Sequence, residues 1–170
     1  MKYLLLCVLF LSFVMLSCES QGPADIVSSQ DMEGAVFAKQ GFNFTAHLSG
    51  DNEVPARDTD AAGQAIFNLS KDGTVLHYKL IVSNIKNVLA SHIHTAPAGV
   101  NGGVVAFLFP GPPVADQDGI LAEGDITEEN VIGAFAGDFD ALIDAMRNGN
   151  TYVNVHTTQY PGGEVRGQIK

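Results

Sequence analysis

Cysteine is nearly missing from this chain: Cys7 and Cys18 are the only two in 170 residues. Cys7 lies in an apolar N-terminal run expected to be removed, which leaves one thiol and no internal disulfide. A cysteine metal site and a cysteine nucleophile are excluded on the same ground. Basic residues are scarce as well, nine Lys+Arg against nineteen Asp+Glu, for a formal charge of −10. Loss of Lys2 with the N-terminal run leaves eight against nineteen, or −11. Such a surface is repelled by nucleic acid and by anionic head groups, so nucleic acid is not an expected partner. Weak, non-specific attraction of cations follows from the same charge. There is no G-x-S-x-G elbow for a serine nucleophile. Gly99, Gly102 and Gly103 precede a strand-like segment with no Lys-Ser/Thr after them, so they do not form a phosphate loop and read as turn glycines at positive φ. Carboxylates are so plentiful that no one pair stands out as a glycosidase pair.

The N-terminal run, Tyr3 to Leu16 after the positive Lys2, is shorter than the ~20 residues of a membrane span and has the form of an export signal. It ends in Met15-Leu16-Ser17-Cys18, which resembles a bacterial lipobox. That resemblance implies a signal over residues 1–17, cleavage before Cys18 and lipidation of Cys18. An ordinary cleaved signal peptide is the plainer alternative. The oxidising compartment would permit disulfides, yet the domain has to be held by its core. Residues 19 to about 40 are polar, with Gly, Pro and Ser and no sustained period, and read as a tether. The expected organisation is a signal over 1–17, lipidated Cys18 and tether over 18–41, and one domain over 42–170, about 130 residues and large enough for a real core.

Strand patterns dominate that domain. Phe42, Phe44, Ala46 and Leu48 alternate with polar neighbours, the mark of a half-buried strand. Ala65 to Leu69 gives another, and Lys71-Asp72-Gly73 turns into a return strand with Leu76, Tyr78, Leu80 and Val82 on one face. Val104 to Phe109 is apolar on both faces, as a central or covered strand would be, and Pro110-Gly111-Pro112-Pro113 stops it. Thr151 to His156 and Glu164 to Ile169 are two more strands, joined through Tyr160-Pro161-Gly162-Gly163. Phe139, Leu142, Ile143 and Met146 form the stripe of an amphipathic helix, with Asp138 as N-cap and Asn148-Gly149 as stop. Thr127-Glu128-Glu129 reads as a shorter helical turn. The pattern predicts an all-β fold, a Greek-key β-sandwich with one short amphipathic helix.

Two imidazoles, His92 and His94, share a face if Ser91 to Gly99 begins extended. His156 shares a face with Tyr152 and Asn154. If the two strands are neighbours, three ring nitrogens converge and can hold one copper or zinc ion with an open position. Glu53 or Glu164 would be a fourth ligand or would fix an imidazole tautomer. The competing reading is structural, with Glu53, Glu164 and Arg166 joining the histidines in a buried polar cluster that fastens loops. Glu164 and Arg166 share a face and are expected to form salt bridges with neighbours. His47 and His77 lie on polar faces and read as solvated.

Three stretches, taken in order, resemble the CHRD domain, the module named for its repeats in chordin. They are Phe44-Thr45-Ala46-His47-Leu48-Ser49-Gly50 with Asn52-Glu53-Val54-Pro55; His92-Ile93-His94 with Ala98-Gly99 and Gly102-Gly103-Val104-Val105; and Tyr152 to Thr157 with Pro161 to Gln168. The resemblance spans residues 42 to 170 and implies an immunoglobulin-like β-sandwich. His-x-His, a Gly-rich loop and a later strand histidine are similar, in part, to copper/zinc superoxide dismutase. That family uses more histidines, a bridging aspartate and a disulfide, and this chain lacks the cysteine pair. The expectation is therefore a lipoprotein of the bacterial cell envelope, facing periplasm or exterior, anchored to membrane through Cys18. It would be a binding or scaffolding protein rather than an enzyme, with an unidentified envelope protein as partner. The alternatives are a copper-dependent, dismutase-like oxidoreductase and a purely structural envelope protein.

Overall fold

The computed structural model describes residues 43–170. The expectations for the signal, Cys18, the tether and Phe42 lie outside those residues. Seven strands and one α-helix make up the fold: β1 (Asn43–Ser49), β2 (Ala62–Leu69), β3 (Leu76–Thr95), β4 (Gly103–Phe109), β5 (Val114–Ile126), α1 (Phe139–Arg147), β6 (Thr151–Thr157) and β7 (Val165–Gln168). It is all-β in class, as the alternation predicts. Phe44, Ala46 and Leu48 of β1 point into the core while Asn43, Thr45 and His47 are exposed. In α1, Phe139, Leu142, Ile143 and Met146 are buried, and the Asp138 side chain accepts a hydrogen bond from Ala141 N. Gly149 closes the helix at φ 66°, a conformation that glycine adopts without a Cβ penalty.

The strands run in the order β2-β1-β7-β6-β3-β4, and β3 also pairs with β2 and β5. Pairing within this one seven-stranded sheet therefore closes on itself in a barrel-like way through β3, whose two halves take different partners. Its first half, Leu76 to Ser83, lies antiparallel to β2 and β5. Its second half, Val88 to Thr95, lies antiparallel to β6, and Ser91 to Thr95 also pairs with β4. The change of partner falls where Asn84 and Asn87 take φ of 54° and 51°, and asparagine is among the few side chains that tolerate the left-handed region. These irregularities shift which residues face inward. Leu80 and Val82 are buried before them; Ile85 and Val88 are buried at three-residue steps through them; Ser91 and Ile93 resume the alternation.

Two expectations are corrected. The segment Val104 to Phe109 is not central: β4 ends the strand path, and Phe107 is 47% exposed. Its inward side chains are Val105, Ala106 and Leu108, and the turn after Val131 covers part of its free edge through a bond from Ile132 N to Val105 O. Of Gly99, Gly102 and Gly103, Gly99 alone has a positive φ, and Gly103 is already the first residue of β4. Gly102 is required for a different reason, since a Cβ there would stand 1.8 Å from the Thr95 carbonyl oxygen.

Candidate metal centre

The site lies on the face of the β7-β6-β3-β4 layer turned away from the core. The two-residue period of a strand sends Val153 and Val155 into the core and leaves Tyr152, Asn154 and His156 on the other face. On β3, Ile93 points inward, and His92 and His94 share the face with β6's polar set. Cross-strand register then does what spacing alone could not: His92 stands opposite Asn154, His94 opposite Tyr152 and Ala90 opposite His156.

One ring nitrogen from each of His92, His94 and His156 lies within 4.8 Å of the others. His92 Nδ1 is 3.1 Å from His156 Nε2. Ring centroids are 5.5 Å apart for His92–His94, 4.8 Å for His92–His156 and 6.1 Å for His94–His156. Two backbone carbonyls fix the tautomers. His94 Nδ1 donates to Gly102 O at 3.0 Å, and His156 Nδ1 donates to Pro161 O at 2.9 Å. In the neutral rings both Nε2 atoms then carry lone pairs, the arrangement by which metal-binding histidines are oriented. His94 Nε2 is buried with no hydrogen-bond partner.

The three rings are held neutral. Burial, then the charges of His156 and His94, lowers His92 to about 4 from 6.5. Burial lowers His94 too, against the Gly102 carbonyl, with His156 and Arg166 adding to the fall. Burial lowers His156, and the Pro161 carbonyl works against it.

A pH dependence of folding follows. Unfolded histidine takes a proton near pH 6.5, whereas the folded rings refuse it until about pH 4 for His92. The unfolded state binds more protons in that window, so stability present above pH 6.5 is lost as pH falls toward 4. Glu53 acts in the opposite sense, because burial raises its carboxyl above 4.5 and the folded state takes up that proton first. Urea unfolding at pH 7.5 and pH 5.0 is expected to show a net loss of about 1–3 kcal/mol at the lower pH, after allowance for partial exposure of the rings. A flat or inverted profile would refute the burial of neutral imidazoles.

The remaining expected residues fall into place around the histidines, not among them. Glu164 accepts hydrogen bonds from Thr59 Oγ1 at 2.7 Å and Thr157 Oγ1 at 2.6 Å, so both oxygens fasten loops. Arg166, 1% exposed, donates to Val100 O at 2.8 Å and Asn101 Oδ1 at 3.1 Å. Its guanidinium carbon sits 3.4 Å from the centre of the Tyr152 ring. The expected salt bridges of these two are replaced by hydroxyl and carbonyl partners; the ion pairs found among the described residues involve neither. Glu53 is buried with Oε1 unpartnered, against the α-carbon of Gly163, where Asn154 Nδ2 also comes close. Asn154 neighbours both Glu53 and His94. His47 is exposed, and His77 is exposed beside Asp125 at 2.5 Å.

Four residues went unrecognised as parts of the site. Tyr152 stacks on His94 with centroids 4.8 Å apart and planes 6° from parallel. Phe107 meets the His92 ring edge-on at 4.7 Å. Asn154 neighbours both His94 and Glu53, and Gly102 supplies the carbonyl for His94. Tyr152 and Asn154 were marked in the sequence by sharing a strand face with His156; Phe107 and Gly102 carry no such signal.

A family model for the CHRD domain matches residues 44–169. The chain belongs to the CHRD-domain family. All three histidines, Glu53, Glu164 and Arg166 lie within the matched span. No curated protein and no solved structure matches the chain. Within this CHRD domain the His92-Ile93-His94 stretch and the Tyr152 to Thr157 stretch, distant in sequence, are adjacent strands. No helix among the described residues is long and apolar enough to cross a membrane.

Proposed function

We propose that the protein is an envelope-anchored lipoprotein whose CHRD domain is a binding or scaffolding module carrying one transition-metal ion on His92, His94 and His156. The observation that carries the metal reading is the meeting of three neutral imidazoles, two of them with carbonyl-fixed Nδ1–H groups and inward lone pairs. Nitrogens bound at 2.0–2.1 Å in a tetrahedral shell stand ~3.3 Å apart. His92 Nδ1 and His156 Nε2, at 3.1 Å, already match that separation. His94 has to draw in by up to about 1.5 Å from the 4.8 Å within which the three nitrogens now lie. Binding moves the His92 proton from Nδ1 to Nε2 and leaves the ring neutral. The Cys18 lipid and the envelope location rest on the N-terminal signal pattern. The dismutase-like alternative needs a second ligand set; among the described residues one group of three comes together.

The purified protein is expected to bind one equivalent of zinc or copper by elemental analysis. Saturation a hundredfold above Kd adds about 2.7 kcal/mol to stability. His92→Ala and His156→Ala should each abolish both the bound metal and the shift. Unchanged metal content in both variants would remove the site. Cys18→Ser should move the protein from the membrane to the soluble fraction, and retention in the membrane would remove the lipid anchor.

A further inference from the structure

We propose that the three-histidine site selects a monovalent copper ion over divalent zinc or divalent copper, an inference that rests on the metal reading above. Imidazole suits both zinc and copper, so the donor type does not choose between them. Charge does. The ligand group contains three neutral rings and no carboxylate. The two carboxylates expected at the site are not in that group: Glu164 has both oxygens committed to Thr59 and Thr157, and Glu53 lies beside Asn154 against Gly163.

A fixed positive charge stands nearby. Arg166 is buried, carries the positive charge of a guanidinium, and lies over Tyr152, which in turn stacks on His94. The order β7-β6-β3 puts Tyr152 between the guanidinium and the ligand. Repulsion from Arg166 is twice as large for a dication as for a monocation. Desolvation acts in the same direction. Phe107 packs on His92 and Tyr152 on His94, and the burial that disfavours an imidazolium disfavours a doubly charged ion more. The cost of burying charge grows as its square, so a dication pays ~4 times the penalty of a monocation of similar size. The chain's overall negative charge does not reverse this, because exposed carboxylates beyond a Debye length of ~8 Å are screened.

The test uses the full-length protein under anaerobic conditions. Copper(I) affinity is measured by competition with bicinchoninate, and zinc and copper(II) affinities by competition with chromophoric chelators. Copper(I) is expected to bind at least about 100-fold more tightly than zinc, as the charge difference requires. Phe107→Glu places a carboxylate beside His92 on the half-exposed edge strand, with Phe107→Gln as the uncharged control. The glutamate variant should gain about tenfold or more in zinc affinity over the glutamine variant and lose most of the copper(I) preference. Zinc or copper(II) bound as tightly as copper(I) by the parent protein would overturn the selectivity while leaving the metal site standing. Failure of all three ions to bind would overturn the selectivity together with the site.

Discussion

Arg166→Ala is expected to lower the folding stability of this domain by about 3–5 kcal/mol, and so its melting temperature by about 10–15 °C. Arg166 is the largest fully buried side chain among the described residues. It stands where β7 meets the loop that covers the polar face. Its fork reaches Val100 O, Asn101 Oδ1 and, at 3.4 Å, Pro97 O, all on the segment joining β3 to β4. Asn101 passes the connection on, donating to Val54 O, and Asn52 donates to Arg166 O. The Arg166 side chain therefore ties β7 to the β3–β4 connection, and the Asn101 and Asn52 side chains carry the link on to the segment after β1. Truncation removes the donor of these part-buried acceptors, empties the space of a fully buried side chain, and removes the cation–π contact with Tyr152. Arg166→Met keeps the apolar stem and removes the donors. If unsatisfied carbonyls dominate, it should show most of the loss in urea midpoints. A methionine variant within about 1 kcal/mol of the parent would show that the fork contributes little beyond its packing.

The strands that the sequence pattern predicts are those with one face in the core. In β1 and β2 alternate side chains are buried, and α1 shows its full stripe with both caps. β5 went unseen because its thirteen residues bury little: Ile126 is its one buried residue. Its strand character comes from backbone pairing with β3, and no side-chain period records that. β3 was legible only in pieces, because two asparagines at positive φ break its alternation in the middle. The same logic divides the site. That His92 and His94 share a face follows from a two-residue period and needs no partner. That His156 joins them depends on β6 lying beside the second half of β3 in one register, and a shift by one residue would turn His156 toward the core. The expected ion pairing of Glu164 and Arg166 failed because loop hydroxyls and carbonyls, invisible to a charge count, reach those groups first.

Gly102→Ala is expected to damage both the fold and the site, whereas Gly103→Ala, one residue on, should do neither. A Cβ on Gly102 would meet the Thr95 carbonyl oxygen at 1.8 Å and its carbon at 2.7 Å. Backbone on both sides has to separate, since no flexible side chain can yield. A forced shift of this size costs about 3 kcal/mol or more. Gly102 is also bonded on both sides of its peptide frame, with its N–H donating to Tyr152 Oη at 3.2 Å and its carbonyl accepting from His94 Nδ1. Moving it releases the Tyr152 ring that stacks on His94 and the carbonyl that sets the His94 tautomer. Loss of such an orienting partner weakens metal binding by about 10–100-fold. A Cβ on Gly103 meets nothing within 4 Å, so Gly103→Ala should stay within about 0.5 kcal/mol of the parent and keep its metal affinity. Thermal unfolding and metal competition on the two variants separate the roles of the pair. Equal behaviour of the two would mean that the close approach of Gly102 to Thr95 does not hold His94 in place.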